Sequence, residues 1–211
     1  MKPIQVLENF IVLEGLDGAG TTTQLELLEE RLTRIRVPHF CTYEPTRGDV
    51  GKLIHETLRG QVALQPKTIA LLFAADRLEH LCKPHVGIVH RLERGELVVS
   101  DRYLFSSLAY QSIHCGFDFV LSLNQEYPLP KYLFFIDTPV SLCQTRLAGR
   151  PRLDLFDPIE MQEKVDSSYR RTIEYFQGSG MIVKFLDGRQ PPDRIFNSLW
   201  ENIRDMPIMN L

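Results

Sequence analysis

The chain has 211 residues, 44% hydrophobic and 24% charged, the proportions of a globular domain whose core needs no staples. Its 24 basic and 27 acidic side chains leave a formal net charge of −3, and without a basic block this argues against a nucleic-acid binder. Disordered, collagen-like, coiled-coil and low-complexity chains are excluded by the same composition, and no apolar run reaches the length of a membrane span.

Met1 to Asn9 lacks the apolar stretch of a signal peptide, so a cytoplasmic protein is expected. Phe10 to Leu13 is a short apolar run ending before Gly15, as in a strand buried on both faces. Leu25, Leu28, Leu32 and Ile35 then recur at helical spacing. Phe40 to Tyr43 reads as a second strand, and Val50, Leu53, Ile54 and Leu58 as a short helix before Gly60. Pro66 can open a helix whose apolar positions run from Ile69 to Leu81, and Pro84 interrupts it. Val86, Val89 and Leu92 form a further helical piece capped by Gly95.

Leu97 to Val99, Leu133 to Ile136 and Met181 to Val183 are three more strands, with a loop expected from Gly116 to Lys131. A helix starts near Pro139, and Ile195, Leu199 and Ile203 line the last one. Gly149 to Pro158 is an irregular stretch between helices. Apolar strands alternating with helices predict an α/β fold, a parallel five-stranded sheet with helices on both faces. Ligands bind such sheets at the carboxyl ends of the strands. One domain is expected over 1–211, with a short mobile lid at about 149–158.

The four cysteines, Cys41, Cys82, Cys115 and Cys143, are far apart and show no metal-ligand spacing, so they read as free thiols. The strongest local signal is the run Gly15, Leu16, Asp17, Gly18, Ala19, Gly20, Thr21, Thr22 between the first strand and the first helix. It fits the phosphate-loop pattern G-x-x-x-x-G-K-[ST] except that Thr21 replaces lysine. Such a loop cradles phosphate oxygens with backbone N–H groups, and Thr22 is placed to ligate Mg²⁺. A lysine ammonium 4 Å from a phosphate oxygen contributes up to about 4 kcal/mol at an effective dielectric of 20. A threonine hydroxyl offers about 1 kcal/mol. Other cations must therefore take over, or transfer is weak. Arg146, Arg150 and Arg152 lie within seven residues; Gly149 and Pro151 place the last two on a loop that can close over phosphates.

Asp101 and Arg102 follow the third strand, where a carboxylate can hold Mg²⁺ and an arginine can bridge phosphates. Asp137 has the equivalent place after the fourth strand, where Thr138 and Pro139 suggest a helix cap instead. Phe73 and Arg77, four apart on one helical face, project a ring and a cation together. Glu44 to Gly48 is a turn that brings Arg47 to the same edge. Ser106, Tyr110 and Gln111 follow the Asp-Arg pair, and the last two suit a pyrimidine.

These stretches resemble the thymidylate kinases (dTMP kinases), a family of P-loop nucleoside monophosphate kinases. The match runs through FIVLEGLDGAGTTTQ, EPTRG, LLFAADR, VVSDRYLFSSLAYQ and FIDTPVSLCQTRL, of which D-R-Y-x-x-S-S-x-A-Y-Q is the most specific. The resemblance implies a P-loop NTPase-type sheet, transfer from ATP to dTMP giving dTDP in dTTP biosynthesis, Mg²⁺, and a homodimer. By position it implies ATP phosphates on Gly15 to Thr22, metal at Thr22 and Asp101, and Arg189 over the adenine. It puts thymine on Phe73 and near Gln111, the dTMP phosphate by Arg47, Arg77 and Arg102, and the sugar by Asp17 and Tyr110. Catalysis would fall to Asp101, Arg102 and the lid arginines Arg150 and Arg152. Thr21 keeps two alternatives open: a nucleotide-binding homologue with weak or no catalysis, and a kinase for another nucleoside or nucleotide.

Overall fold

A computed structural model describes residues 5–148 and 159–210. Its five parallel strands are β1 (Val6–Gly15), β2 (His39–Tyr43), β3 (Leu97–Asp101), β4 (Leu129–Asp137) and β5 (Ile182–Asp187), ordered β2-β3-β1-β4-β5. The expected α/β fold, with its five-stranded parallel sheet, is what is found. β1 lies in the middle because its apolar run can be covered twice. Phe10 and Val12 pack into one face, and Ile11 and Leu13 into the other.

Helices α1 (Thr21–Arg34) and α10 (Pro192–Ile203) cover the second face through Leu28, Leu32, Leu199 and Ile203. Helices α5 (Leu104–Tyr110) and α9 (Ile159–Tyr175) cover the first, with Phe105, Leu108, Val165 and Tyr169. The remaining helices are α2 (Asp49–Leu58), α3 (Pro66–Cys82), α4 (Ile88–Glu93), α6 (Ser112–Cys115), α7 (Phe117–Asn124) and α8 (Val140–Leu147). Pro84 does fall in the break between α3 and α4, and Gly95 closes α4 at φ 78°.

Several local expectations change: Ile35 falls just past the end of α1 and Val86 in the turn before α4, both exposed because neither faces the core. The stretch from Gly116 to Lys131 is not all loop, because α7 folds there with Val120 and Asn124 turned inward. β5 runs on to Asp187, since an edge strand does not need an unbroken apolar run: Lys184 is half-buried and Phe185 exposed, and they still pair with Phe134 and Phe135. Asp137 does not cap α8, whose N-cap is Pro139; it accepts a hydrogen bond from Arg170 Nη2 at 2.8 Å instead. The presumed lid at 149–158, with Arg150 and Arg152, lies outside the described residues.

The cysteines form no disulfide. Burial pushes the Cys41 thiol up to about 12 and the Cys143 thiol up to about 11, so neither is a ready nucleophile. Among the described residues no helix is long and apolar enough to cross a membrane.

The strand order puts the reversal of connections at β1, so the carboxyl ends of β1 and β3 open one crevice. In register, Leu13 pairs with Asp101, which sets the glycine-rich loop and the Asp101–Arg102 pair side by side. Leu28 supports this arrangement from below at 0% exposure. Leu28→Ala is expected to lower unfolding free energy by about 2–5 kcal/mol, read from urea denaturation; a change under about 1 kcal/mol would contradict this packing.

Candidate active site

The loop after β1 is shaped by two left-handed glycines, Gly18 at φ 85° and Gly20 at φ 106°. A Cβ on Gly18 would also stand 2.8 Å from the Cys143 carbonyl oxygen, so α8 can approach only a glycine. The loop carbonyls are tied away from the crevice. Arg146 Nη1 donates to Gly18 and Ala19 O at 3.3 and 3.1 Å, and Thr138 Oγ1 donates to Ala19 O at 3.2 Å. Arg146 Nη2 reaches Gly188 O at 3.0 Å, joining the loop to the turn after β5. The first N–H groups of α1 have no partner within the helix and remain for an anion.

This loop lines a cleft of about 540 Å³ with Gln24, Asp101, Arg102, Arg146, Gln190, Pro192 and Ile195. Thr22 Oγ1 donates to Asp101 Oδ2 at 2.7 Å. The other carboxylate oxygen, Asp101 Oδ1, is buried without a hydrogen-bond partner among the described residues. Thr21 opens α1 and is 6% exposed. Arg189 lies outside this cleft: it lines the neighbouring pocket and pairs with Asp187 at 2.8 Å, while Gln190 and Pro192 take the cleft wall.

A second pocket, of about 170 Å³, opens on the far side of Asp17 and Arg102. It brings together Phe73, Ser106, Tyr110 and Gln111 with Glu44, His55 and Leu58, which the sequence did not mark as site residues. Gln111 Oε1 is buried without a partner among the described residues. Asp17 and Arg102 form the wall between the two spaces. Arg102 Nη2 donates to Asp17 Oδ1 at 2.6 Å, and Tyr110 OH donates to Asp17 Oδ2 at 2.9 Å. Burial, then the Asp17 charge, holds the Tyr110 phenol well above its ordinary range, so it stays a donor. Arg102 also lies over the Tyr110 ring, 5.4 Å from its centroid.

Arg77 and Arg47 are placed differently from Arg102. Arg77 is 1% exposed and lines neither space. It pairs with Glu44 Oε2 at 2.7 Å, and donates to Ser107 Oγ at 3.0 Å and to Asn124 Oδ1. Its charge is therefore matched inside the protein, and it braces the Glu44–Gly48 turn rather than standing free for a phosphate. Asp76 secures the same turn, accepting from Thr46 N and Oγ1 at 2.7 and 2.6 Å. Arg47 is exposed, 5.6 Å from the Tyr43 ring centroid.

The family model for thymidylate kinase matches residues 13–198. The chain belongs to the thymidylate kinase family. It is 35% identical over 206 residues to a putative thymidylate kinase of Treponema pallidum, covering 96% of this chain and 98% of that protein. A putative thymidylate kinase of Aeropyrum pernix is 37% identical over 84% of this chain and 85% of its own length. The solved thymidylate kinase of Candida albicans shares the fold, with a TM-score of 0.78 at 22% identity over 93% of this chain and 91% of that one. Thymidylate kinases transfer the γ-phosphoryl group of ATP to dTMP, giving dTDP for dTTP biosynthesis.

The sequence reading missed Glu14, a carboxylate inside the buried run of β1 and 0% exposed. The signal was present, since a charge in such a run must be compensated. Burial pushes its pKa up from 4.5 to about 7, against the opposing pull of Arg102 and hydrogen bonds from Ser106, Tyr169 and Tyr103. A folded-state pKa above the unfolded one means the folded chain binds more protons between those values, so stability falls as pH rises across them. Relative to Glu14→Gln, the natural protein should lose up to about 3 kcal/mol between pH 4.5 and about 7, and nothing further above. Urea midpoints across that range check this; a gap that widens in favour of the natural protein with rising pH contradicts it.

Proposed function

We propose that the two spaces meeting at Asp17 and Arg102 are the donor and acceptor subsites of a dTMP kinase. The shared wall is the observation that carries this reading, because a group moving from one nucleotide to the other must pass it. The glycine-rich loop holds the ATP phosphates through backbone N–H groups. In the other space Phe73 stacks on the pyrimidine, Gln111 meets its edge, and Tyr110 with Asp17 flanks the sugar.

The acceptor phosphate is already ionised, so the transfer needs no general base. It needs alignment and positive charge. Arg102 reaches both phosphates from the wall, and Ser106 steadies it at 3.2 Å from Nη1. Mg²⁺ suits the donor side, where the unpartnered Asp101 Oδ1 and the Thr22 hydroxyl offer hard oxygen ligands. Thr22 and Asp101 would hold the ion, which would supply positive charge against the donor phosphates. Leu71 and Leu78, seven apart and exposed on α3, support a homodimer through that helix.

The missing P-loop lysine is the main departure. Arg146 is hydrogen-bonded to three backbone carbonyls, and Arg102 is shared with Asp17, so neither replaces an ammonium on the β and γ oxygens. Arg150 and Arg152 take that role in this reading. Thr21 itself favours the second reading, a protein that binds both nucleotides and turns them over slowly or not at all.

Purified protein with dTMP, ATP and Mg²⁺ is expected to form ADP in a coupled assay, and no ADP above background would overturn the proposal. Arg150→Ala should lower kcat by about 10²–10³-fold, as removal of a charge-stabilising donor does. Thr21→Lys should change kcat by less than about tenfold, an energy of about 1.4 kcal/mol. A gain of several orders of magnitude would instead show that the natural loop is crippled.

A further inference from the structure

Glu14 lines neither subsite, and the transfer outlined above does not use it. Its surroundings are nevertheless organised around its negative charge. Glu14 Oε1 accepts from the backbone N–H groups of Tyr103 and Ser106, at 2.8 and 3.2 Å. A carboxylate from β1 thus serves the first turn of α5, whose own N-cap, Tyr103, makes no side-chain cap. Glu14 Oε2 accepts from the hydroxyls of Ser106 at 2.6 Å and Tyr169 at 2.8 Å.

Ser106 Oγ and Tyr169 OH also lie 2.8 Å apart, so the two hydroxyls either donate both protons to Glu14 or pass one through the other to it; in each case lone pairs face Arg102. Arg102 Nη1 donates into both, at 3.2 Å to Ser106 Oγ and 3.2 Å to Tyr169 OH. Arg102 also has a left-handed backbone, φ 73°, which a non-glycine residue keeps only when its surroundings hold it there. The polarity of the network runs one way. An arginine has only donors, so its neighbours must accept, and they can accept freely only if their protons go to an acceptor behind them. Ionised, as it is above about pH 7, Glu14 is that acceptor.

We propose that Glu14 is a positioning residue for phosphoryl transfer, acting through the Ser106 and Tyr169 hydroxyls to fix the Arg102 guanidinium between the two subsites. This rests on the functional reading above, but the link from Glu14 to Arg102 is a property of the free protein. Glu14→Gln keeps the shape and reverses part of the polarity, because its amide N–H₂ donates toward a hydroxyl that must then turn its proton toward Arg102. Tyr169→Phe removes one arm and keeps the ring.

The test has two readouts. In steady state, Glu14→Gln should lower kcat by about tenfold to a hundredfold, the usual cost of losing a supporting partner, with KM for ATP within about threefold. Glu14→Gln with Tyr169→Phe should lose little more than Glu14→Gln alone, because both act on one guanidinium. Unchanged kcat, or fully additive losses, overturns the proposal. In the free protein, arginine side-chain ¹⁵N resonances should show Arg102 Nη slowly rotating, and averaged in either variant. If the natural protein forms no ADP, the functional reading fails and this second readout still decides the link: an Arg102 signal unchanged in the variants overturns it. Should Glu14→Gln not fold, Tyr169→Phe alone must reproduce the Arg102 change, and its failure to do so overturns the proposal.

Discussion

One ion pair sets the geometry on which everything else depends. Asp17 leaves the loop after β1, Arg102 leaves β3, and they meet at 2.6 Å where those neighbouring strands end. Parallel pairing makes the meeting possible, since both ends point to the same edge of the sheet. Both side chains are partly exposed, so the pair is not a buried strut. It is a polar partition with a pocket on either side, and its members remain within reach of solvent and ligand. A guanidinium so placed keeps its charge while offering hydrogen bonds in a fixed plane, which a lysine there would not do.

The smaller pocket shows a different use of charge. Arg77 and Glu44 are nearly inaccessible and neutralise each other, with Asn124 and Ser107 completing the hydrogen bonds. Removing one member would strand the other in a low-dielectric interior, so this pair acts on the site by holding its walls. Glu44, Pro45 and Phe73 reach the pocket while Arg77 does not, and the turn between β2 and α2 is thereby fixed from behind.

Much of this was legible in the sequence, for physical reasons that can be named. The inner strands β1, β3 and β4 announced themselves because both faces of a parallel sheet are covered, which demands unbroken apolar runs, whereas the edge strand β2 left only a weak signal. The rule fails from Lys184 to Phe185, where β5 is an edge, takes a charged residue and is free to expose Phe185. The helix at Phe117–Asn124 was hidden by its shortness and by a glycine at its start. Glycine spacing exposed the phosphate loop, since few other demands place three glycines in six residues. Asp101 and Arg102 were legible from their place at a strand end, and Asp17 from its place in the glycine-rich run. Arg77 was visible as a cation beside Phe73, yet its burial depends on Glu44, 33 positions earlier, and no local pattern reports that. Glu14 and Tyr169 are 155 positions apart and meet only in the folded chain.

Arg146 carries a consequence for whatever visits the larger cleft. Oxygens of Gly18, Ala19 and Gly188 engage both of its terminal nitrogens. A visiting oxyanion that drew on the same hydrogens would have to release one of those carbonyls, and the loop or the turn after β5 would lose its clamp.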